Sequence, residues 1–216
     1  MRALLFDLDG TLVDTGRLHY AATIKALSEL GIAIDRAAYD RHIHGSSNAA
    51  IARYLFPDDR ADIRATYIEL KETAFRASLG QAAPLPGLLE LLDWARDQPL
   101  AVGLVTNAPV ENKDLLLASI GLTGRFHPVV LGDTLAQAKP HPLPYLTALD
   151  QLGVGAGEAV GFDDSVHGIT AVRDAGMYGI GVTTGQPAIE LKAAGAGLCI
   201  ADFRDPQLMT ELTARL

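Results

Sequence analysis

The amino-acid sequence predicts an α/β fold: a doubly wound parallel sheet with an all-helical domain inserted after its first strand. Two observations carry the sheet. Five short apolar runs end in small or polar residues, and segments of helical periodicity separate them. Strands buried on both faces of a parallel sheet read as continuous apolar runs rather than as alternation. A third observation carries the insertion. Between Asp14 and about Gln81 the strand-like runs vanish while the helical pattern continues.

The elements follow in order. RALLF (2–6) is the first strand. RLHYAATIKALSELG (17–31) repeats apolar side chains at helical spacing, and ADIRATYIELKETAFRASLG (61–80) forms a second long helix. GQAAPLPG (80–87) reads as a hinge back to the alternating pattern. Then come helix 87–98, strand 100–106, helix 111–121, strand 128–132, helix 142–153, strand 158–162, helix 166–176 and strand 178–182. Glycines 121, 153 and 176 stand where helix C-terminal caps belong. The expected division is a Rossmann-like core over 1–14 and 83–216 and a helical cap over 15–82.

Composition narrows the function classes. With 49% hydrophobic and 20% charged residues the chain can bury a core. A net charge of −8 without a Lys/Arg-rich run excludes a nucleic-acid footprint. An acidic protein that binds an anion needs a local cationic device: a metal, a lysine or a helix N-terminus. No run of eighteen apolar residues is present, so no membrane helix is expected. MRALLFDLDG reaches acidic residues too early for a signal peptide. The single cysteine, Cys199 in AGLCIA, reads as a small buried hydrophobe. A cytoplasmic enzyme, monomeric or weakly dimeric, is the expectation.

In an open parallel sheet, ligands bind beyond the C-terminal strand ends. Asp7, Asp9, Gly10 and Thr11 follow the first run, and Thr106 and Asn107 the second. Lys139 comes later, in AKPHP, and Asp163, Asp164 and Ser165 follow the fourth run. Acidic groups, a lysine and hydroxyls thus meet at one rim. Carboxylates at the mouth of a buried strand need partners, and a cation or a lysine supplies them. Other motifs fail. The glycine after Asp9 is one residue pair too early for an EF-hand loop, GIGVTTG lacks dinucleotide spacing, and no Walker sequence occurs.

These residues resemble the haloacid dehalogenase-like superfamily of aspartate-nucleophile phosphotransferases. Its D-x-D-G-[TV] motif is Asp7 to Thr11, its strand-terminal hydroxyl Thr106, its lysine Lys139 and its acidic pair Asp163–Asp164. The segment GFDDSVHGITAVRDAGM is similar to the branch of β-phosphoglucomutases and small sugar-phosphate phosphatases. The resemblance implies Mg²⁺ held by Asp7, the Asp9 carbonyl and Asp164, with Asp163 acting through water. It implies Asp7 as nucleophile and Asp9 as general acid and base. Lys139 and Thr106, with the Asn107 backbone or side chain, would hold the phosphoryl oxygens, and Gly10 would leave room for the phosphate.

The helical insertion would supply substrate contacts from His19 and from the HIHGSSN loop: His44, Gly45, Ser46, Ser47 and Asn48. β-Phosphoglucomutases carry a lysine before that glycine and an arginine soon after the serine, where this chain has His44 and Asn48. A second phosphate is gripped far better by a cation than by a neutral amide. The expected activity is therefore hydrolysis of small phosphomonoesters (sugar or polyol phosphates, or phosphoglycolate) through an aspartyl-phosphate. A β-phosphoglucomutase-like phosphotransferase is the alternative, and a receiver-like phosphate-accepting module the rival from another class.

Overall fold

Six apolar segments pair in parallel in the computed structural model, which describes residues 1–57, 60–80 and 82–216. They are β1 (Ala3–Phe6), β2 (Ala101–Thr106), β3 (Val129–Leu131), β4 (Ala159–Asp163), β5 (Tyr178–Val182) and β6 (Ala196–Ile200). Their order across the sheet is β3-β2-β1-β4-β5-β6, that of a doubly wound sheet. The order reverses beside β1, which pairs with β2 on one side and β4 on the other. That reversal opens a crevice at the C-terminal ends of β1 and β4.

The alternation of side chains along β1 explains its burial on both faces. Leu4 and Phe6 join one apolar cluster, Ala3 and Leu5 another. Helices α5 (Leu88–Asp97), α6 (Val110–Ser119) and α10 (Pro206–Thr213) cover the first face through Leu91, Leu116 and Leu208. Helices α7 (Leu143–Leu152) and α8 (Val166–Asp174) cover the second through Tyr145, Leu149 and Val172. Phe6 stacks on Phe162 across the β1–β4 pair, with centroids 4.6 Å apart. Such contacts hold the two strand ends that carry the site in one register.

Between β1 and α5 the described residues form four helices: α1 (Gly16–Glu29), α2 (Arg36–His42), α3 (Asn48–Leu55) and α4 (Ala61–Ser78). They enclose an apolar cluster of their own, built on Leu27, Tyr39, Ile51, Phe56 and Tyr67. Ala22 and Phe75 belong instead to the main core, so the helical layer is fastened to the sheet layer near its base. The predicted hinge spans 80–87, and Gln81 within it lies outside the described residues.

The predicted strands are found within one residue or so of their bounds. The last strand is a correction. AGLCIA is not a buried stretch but the edge strand β6, and Cys199 is half-buried there. The edge position leaves one side of the strand unpaired, and α9 (Ala188–Ala194) covers only part of it. The loop expected over 42–48 is shorter, because His42 closes α2 and Asn48 opens α3.

Candidate active site

The chain turns sharply after β1, and the turn aims two carboxylates at the crevice. The Asp7 amide donates to the Phe162 carbonyl of β4, and the Gly10 amide to Val13. Gly10 has φ +75°, and a Cβ built on it would lie 2.0 Å from Asp164 Oδ2. Only glycine lets the backbone pass this close to the acidic pair.

Lys139 is the central cation. Its ammonium donates to Asp7 Oδ1 and to Asp163 Oδ2, at 2.8 Å each, and its side chain is 2% exposed. Tyr145 donates to the same Asp163 oxygen at 3.1 Å. The Ser165 amide and hydroxyl donate to Asp163 Oδ1 at 3.0 and 2.8 Å. Asp163 thus has all its acceptor sites engaged. Through these contacts Asp163 anchors Lys139.

Asp164 accepts from His44 Nε2 at 3.2 Å, which ties the helical layer to the acidic rim. Asp9 accepts from Thr15 Oγ1 at 2.7 Å and lies 2.9 Å from His19 Nε2. The His19 ring stacks flat on Phe75, with centroids 3.9 Å apart. His19 therefore faces Asp9 from the first turn of α1.

Burial pushes the Asp7 carboxyl well above its usual range; the Asp163 and Asp164 charges add to this, and Lys139 opposes it. Asp164 is also raised, by burial and the neighbouring carboxylates against the pull of His44. Burial works against the Lys139 charge, but Asp163 and Asp7 outweigh it and hold the ammonium protonated. Burial raises the Asp9 carboxyl too, yet His19 and Thr15 bring it below its ordinary value.

The donors fit a hard divalent ion. Asp7, Asp163 and Asp164 offer carboxylate oxygens that all lie within 4.8 Å of one another. An all-oxygen set suits Mg²⁺ rather than a soft metal.

The remaining predicted residues divide. Thr106 Oγ1 accepts from the Ala108 amide at 3.0 Å, which leaves its hydroxyl proton to be donated into the pocket it lines. The Asn107 side chain is committed elsewhere. It accepts from the Lys139 amide and donates to the Gly45 and Lys139 carbonyls, at 3.2–3.3 Å. It therefore orders Lys139 and the loop, from a position that lines the pocket. Gly45 has φ +72°, and a Cβ there would lie 2.5 Å from Ser165 Oγ. Ser46 lies 3.3 Å from His167 Nδ1 of α8, at the pocket edge. Ser47 is not at the site, because its hydroxyl caps α3 by accepting from the Ala50 amide.

A haloacid dehalogenase-like hydrolase family model matches residues 4–182. The chain belongs to this family. Among relatives of this haloacid dehalogenase-like protein, a β-phosphoglucomutase of Bacillus subtilis is 29% identical over 95% of this chain and 91% of its own. A phosphoglycolate phosphatase of Xanthomonas campestris is 35% identical, covering 85% of this chain and 84% of its own. The crystal structure of a hydrolase from Pseudomonas syringae superposes with a TM-score of 0.89 at 25% identity, covering 99% of both chains.

Several residues in or behind the pocket of this haloacid dehalogenase-like chain have no motif of their own. Thr15 and Tyr145 gain their roles only through hydrogen bonds to Asp9 and Asp163. Gly185, in the segment rejected as a dinucleotide loop, has no room for a side chain, with Asp164 Oδ2 2.1 Å from a built Cβ. Asn48, Lys71 and Glu72 also line the pocket. Lys71 and Glu72 sit mid-helix in α4, where an adjacent Lys-Glu pair reads as an ordinary solvated face.

Proposed function

We propose that this protein is a Mg²⁺-dependent phosphatase of small phosphomonoesters that works through an aspartyl-phosphate on Asp7. The observation that carries this reading is the Lys139 bridge between Asp7 and Asp163, beside Asp164 and within the same pocket as Asp9. Asp7 and Asp164, with the Asp9 carbonyl, would hold the ion, and Asp163 would contact it through water. The bound ion would neutralise charge on the phosphoryl group and on Asp7.

The chain's own residues then divide the reaction. A carboxylate oxygen of Asp7 attacks phosphorus while the bond to the ester oxygen breaks. Asp9, whose carboxyl His19 and Thr15 hold low in the free protein, takes up a proton as the anionic phosphoryl group arrives and gives it to the leaving oxygen. In the second half Asp9 takes a proton from water, and that water attacks phosphorus. The bond to Asp7 breaks and phosphate leaves. Lys139 and the Thr106 hydroxyl steady the phosphoryl oxygens. The helical layer excludes bulk water, with His44 reaching across to Asp164.

Similarity to a mutase supports the alternative, transfer between two positions of one sugar. Asn48 stands against it, since this amide is engaged with Lys71 and Glu72 rather than offering a cation to a second phosphate. The half-buried lone cysteine, with no disulfide partner, supports a reducing, cytoplasmic setting.

Phosphate release from a panel of sugar, polyol and short-acid monophosphates, with Mg²⁺ and with a chelator, tests the proposal. Release that the chelator abolishes is expected. Release that persists in chelator would overturn the metal reading. Bisphosphate-primed isomerisation of β-glucose 1-phosphate without net release would establish the mutase.

A further inference from the structure

Besides the catalytic rim, the pocket has a second charged wall. Lys71 and Glu72, at 6% and 4% exposure, are the two buried charges of the helical layer among the described residues. The Lys71 ammonium donates to Glu72 Oε1 at 2.7 Å and to Asn48 Oδ1 at 2.9 Å. Asn48 Nδ2 donates to the same Glu72 oxygen at 3.0 Å. The other Glu72 oxygen accepts from Asn112 Nδ2 of α6. Asn48, Lys71 and Glu72 all line the pocket. The Lys71 charge also reaches Asp9, whose carboxyl it helps to lower.

The charges on this wall cancel. A lysine facing a ligand pocket would ordinarily mark an anion subsite, but here a carboxylate in hydrogen-bond contact compensates it. A carboxylate or second phosphate placed at Lys71 would meet Glu72 at close range and without bulk water to screen it. Lys71 has three N–H donors, and the hydrogen bonds to Glu72 and Asn48 engage two of them. The third is a donor suited to a neutral hydroxyl oxygen.

We infer that the Lys71–Glu72–Asn48 wall selects substrates whose end remote from the phosphate is an uncharged hydroxyl, and that Glu72 rejects anionic ends. This rests on the phosphatase reading and deepens it. Polyol and sugar monophosphates are then substrates, and phosphoglycolate and bisphosphates are discriminated against.

The test is a matched pair of esters, 2-hydroxyethyl phosphate and phosphoglycolate, which differ in a hydroxymethyl against a carboxylate end. For the wild-type protein, kcat/KM is expected to favour the hydroxyl ester by about tenfold or more. Glu72→Gln leaves the lysine uncompensated and should move the ratio toward phosphoglycolate by about tenfold. Lys71→Met leaves the carboxylate uncompensated and should move it the other way. A wild-type preference for phosphoglycolate overturns the inference, and so do shifts in the same direction from both variants. If neither ester is hydrolysed and the wider monophosphate panel also gives no release, the phosphatase reading fails. The ratio of the two dissociation constants, from titration calorimetry with Mg²⁺ present, then judges the wall alone. An anion preference, or no binding of either ester, overturns the inference.

Discussion

Gly10 and Ser47 show how single residues of one motif region can have unrelated tasks. A Cβ on Gly10 would overlap the Asp164 carboxylate. Gly10→Ala should therefore lower kcat/KM by about a hundredfold, because a misplacement near one ångström is enough for that. It should also raise the Mg²⁺ concentration needed for half-maximal activity. A normal Mg²⁺ titration in this variant would show that Asp164 is not a ligand. Ser47 lies two residues from Gly45 yet only caps α3. Ser47→Ala should cost about 1 kcal/mol in urea unfolding and leave turnover as in the wild type. At this scale the sequence is legible where chemistry is local. Asp7, Asp9, Gly10 and Thr11 form one contiguous motif, and Asp163–Asp164 another. The Asn107 side chain could not be assigned locally, because its partners, Gly45 and Lys139, are 62 and 32 positions away.

Helices α3, α4 and α6 meet at one buried polar knot. Asn48, Glu72 and Asn112 come from these three helices, and Glu72 accepts from both amides and from Lys71. Burial raises the Glu72 carboxyl, but Lys71 and the two amides outweigh it and bring it below its ordinary 4.5. The unfolded chain holds this group at the ordinary value. Its contribution to stability is therefore complete above 4.5 and is lost as pH falls through the lower folded value. Thermal unfolding across that acid window should show a smaller loss in Glu72→Gln than in the wild type. Equal slopes would mean that another group governs the acid limb. The knot was not legible, since periodicity places α4 but does not say which of its polar residues turn inward. Helix α4 has a long polar sequence, and its buried residues Tyr67, Lys71, Glu72 and Phe75 recur at four-, one- and three-residue steps. Two of the four are charged, so an apolar stripe does not reveal that face.

For the whole molecule, the strand order puts β1 and β4 side by side, although 152 positions separate Asp7 from the Ala159 that begins β4. The alternation of apolar runs and helical segments predicts a doubly wound sheet whose strand ends gather at one rim, and the strand order itself comes from the structure. The edge strand β6 escaped because it pairs on one side only and just its two ends, Ala196 and Ile200, are fully buried. At the centre, Lys139 joins the two strand ends by bridging Asp7 and Asp163. Lys139→Met should lower stability by about 3–5 kcal/mol in the metal-free protein, because it leaves two buried carboxyls without their partner. Added Mg²⁺ should restore part of that loss by supplying charge to Asp7, and an absence of rescue would separate the metal from Asp7.

The central claim is that Asp7 carries the phosphoryl group. The most direct measurement is an acid quench of the turning-over enzyme, using substrate labelled with radioactive phosphorus, followed by mapping of the labelled peptide. Label on the peptide that contains Asp7, absent in Asp7→Asn, is the expected result. Turnover with no protein-bound label, or label that persists in Asp7→Asn, would contradict it.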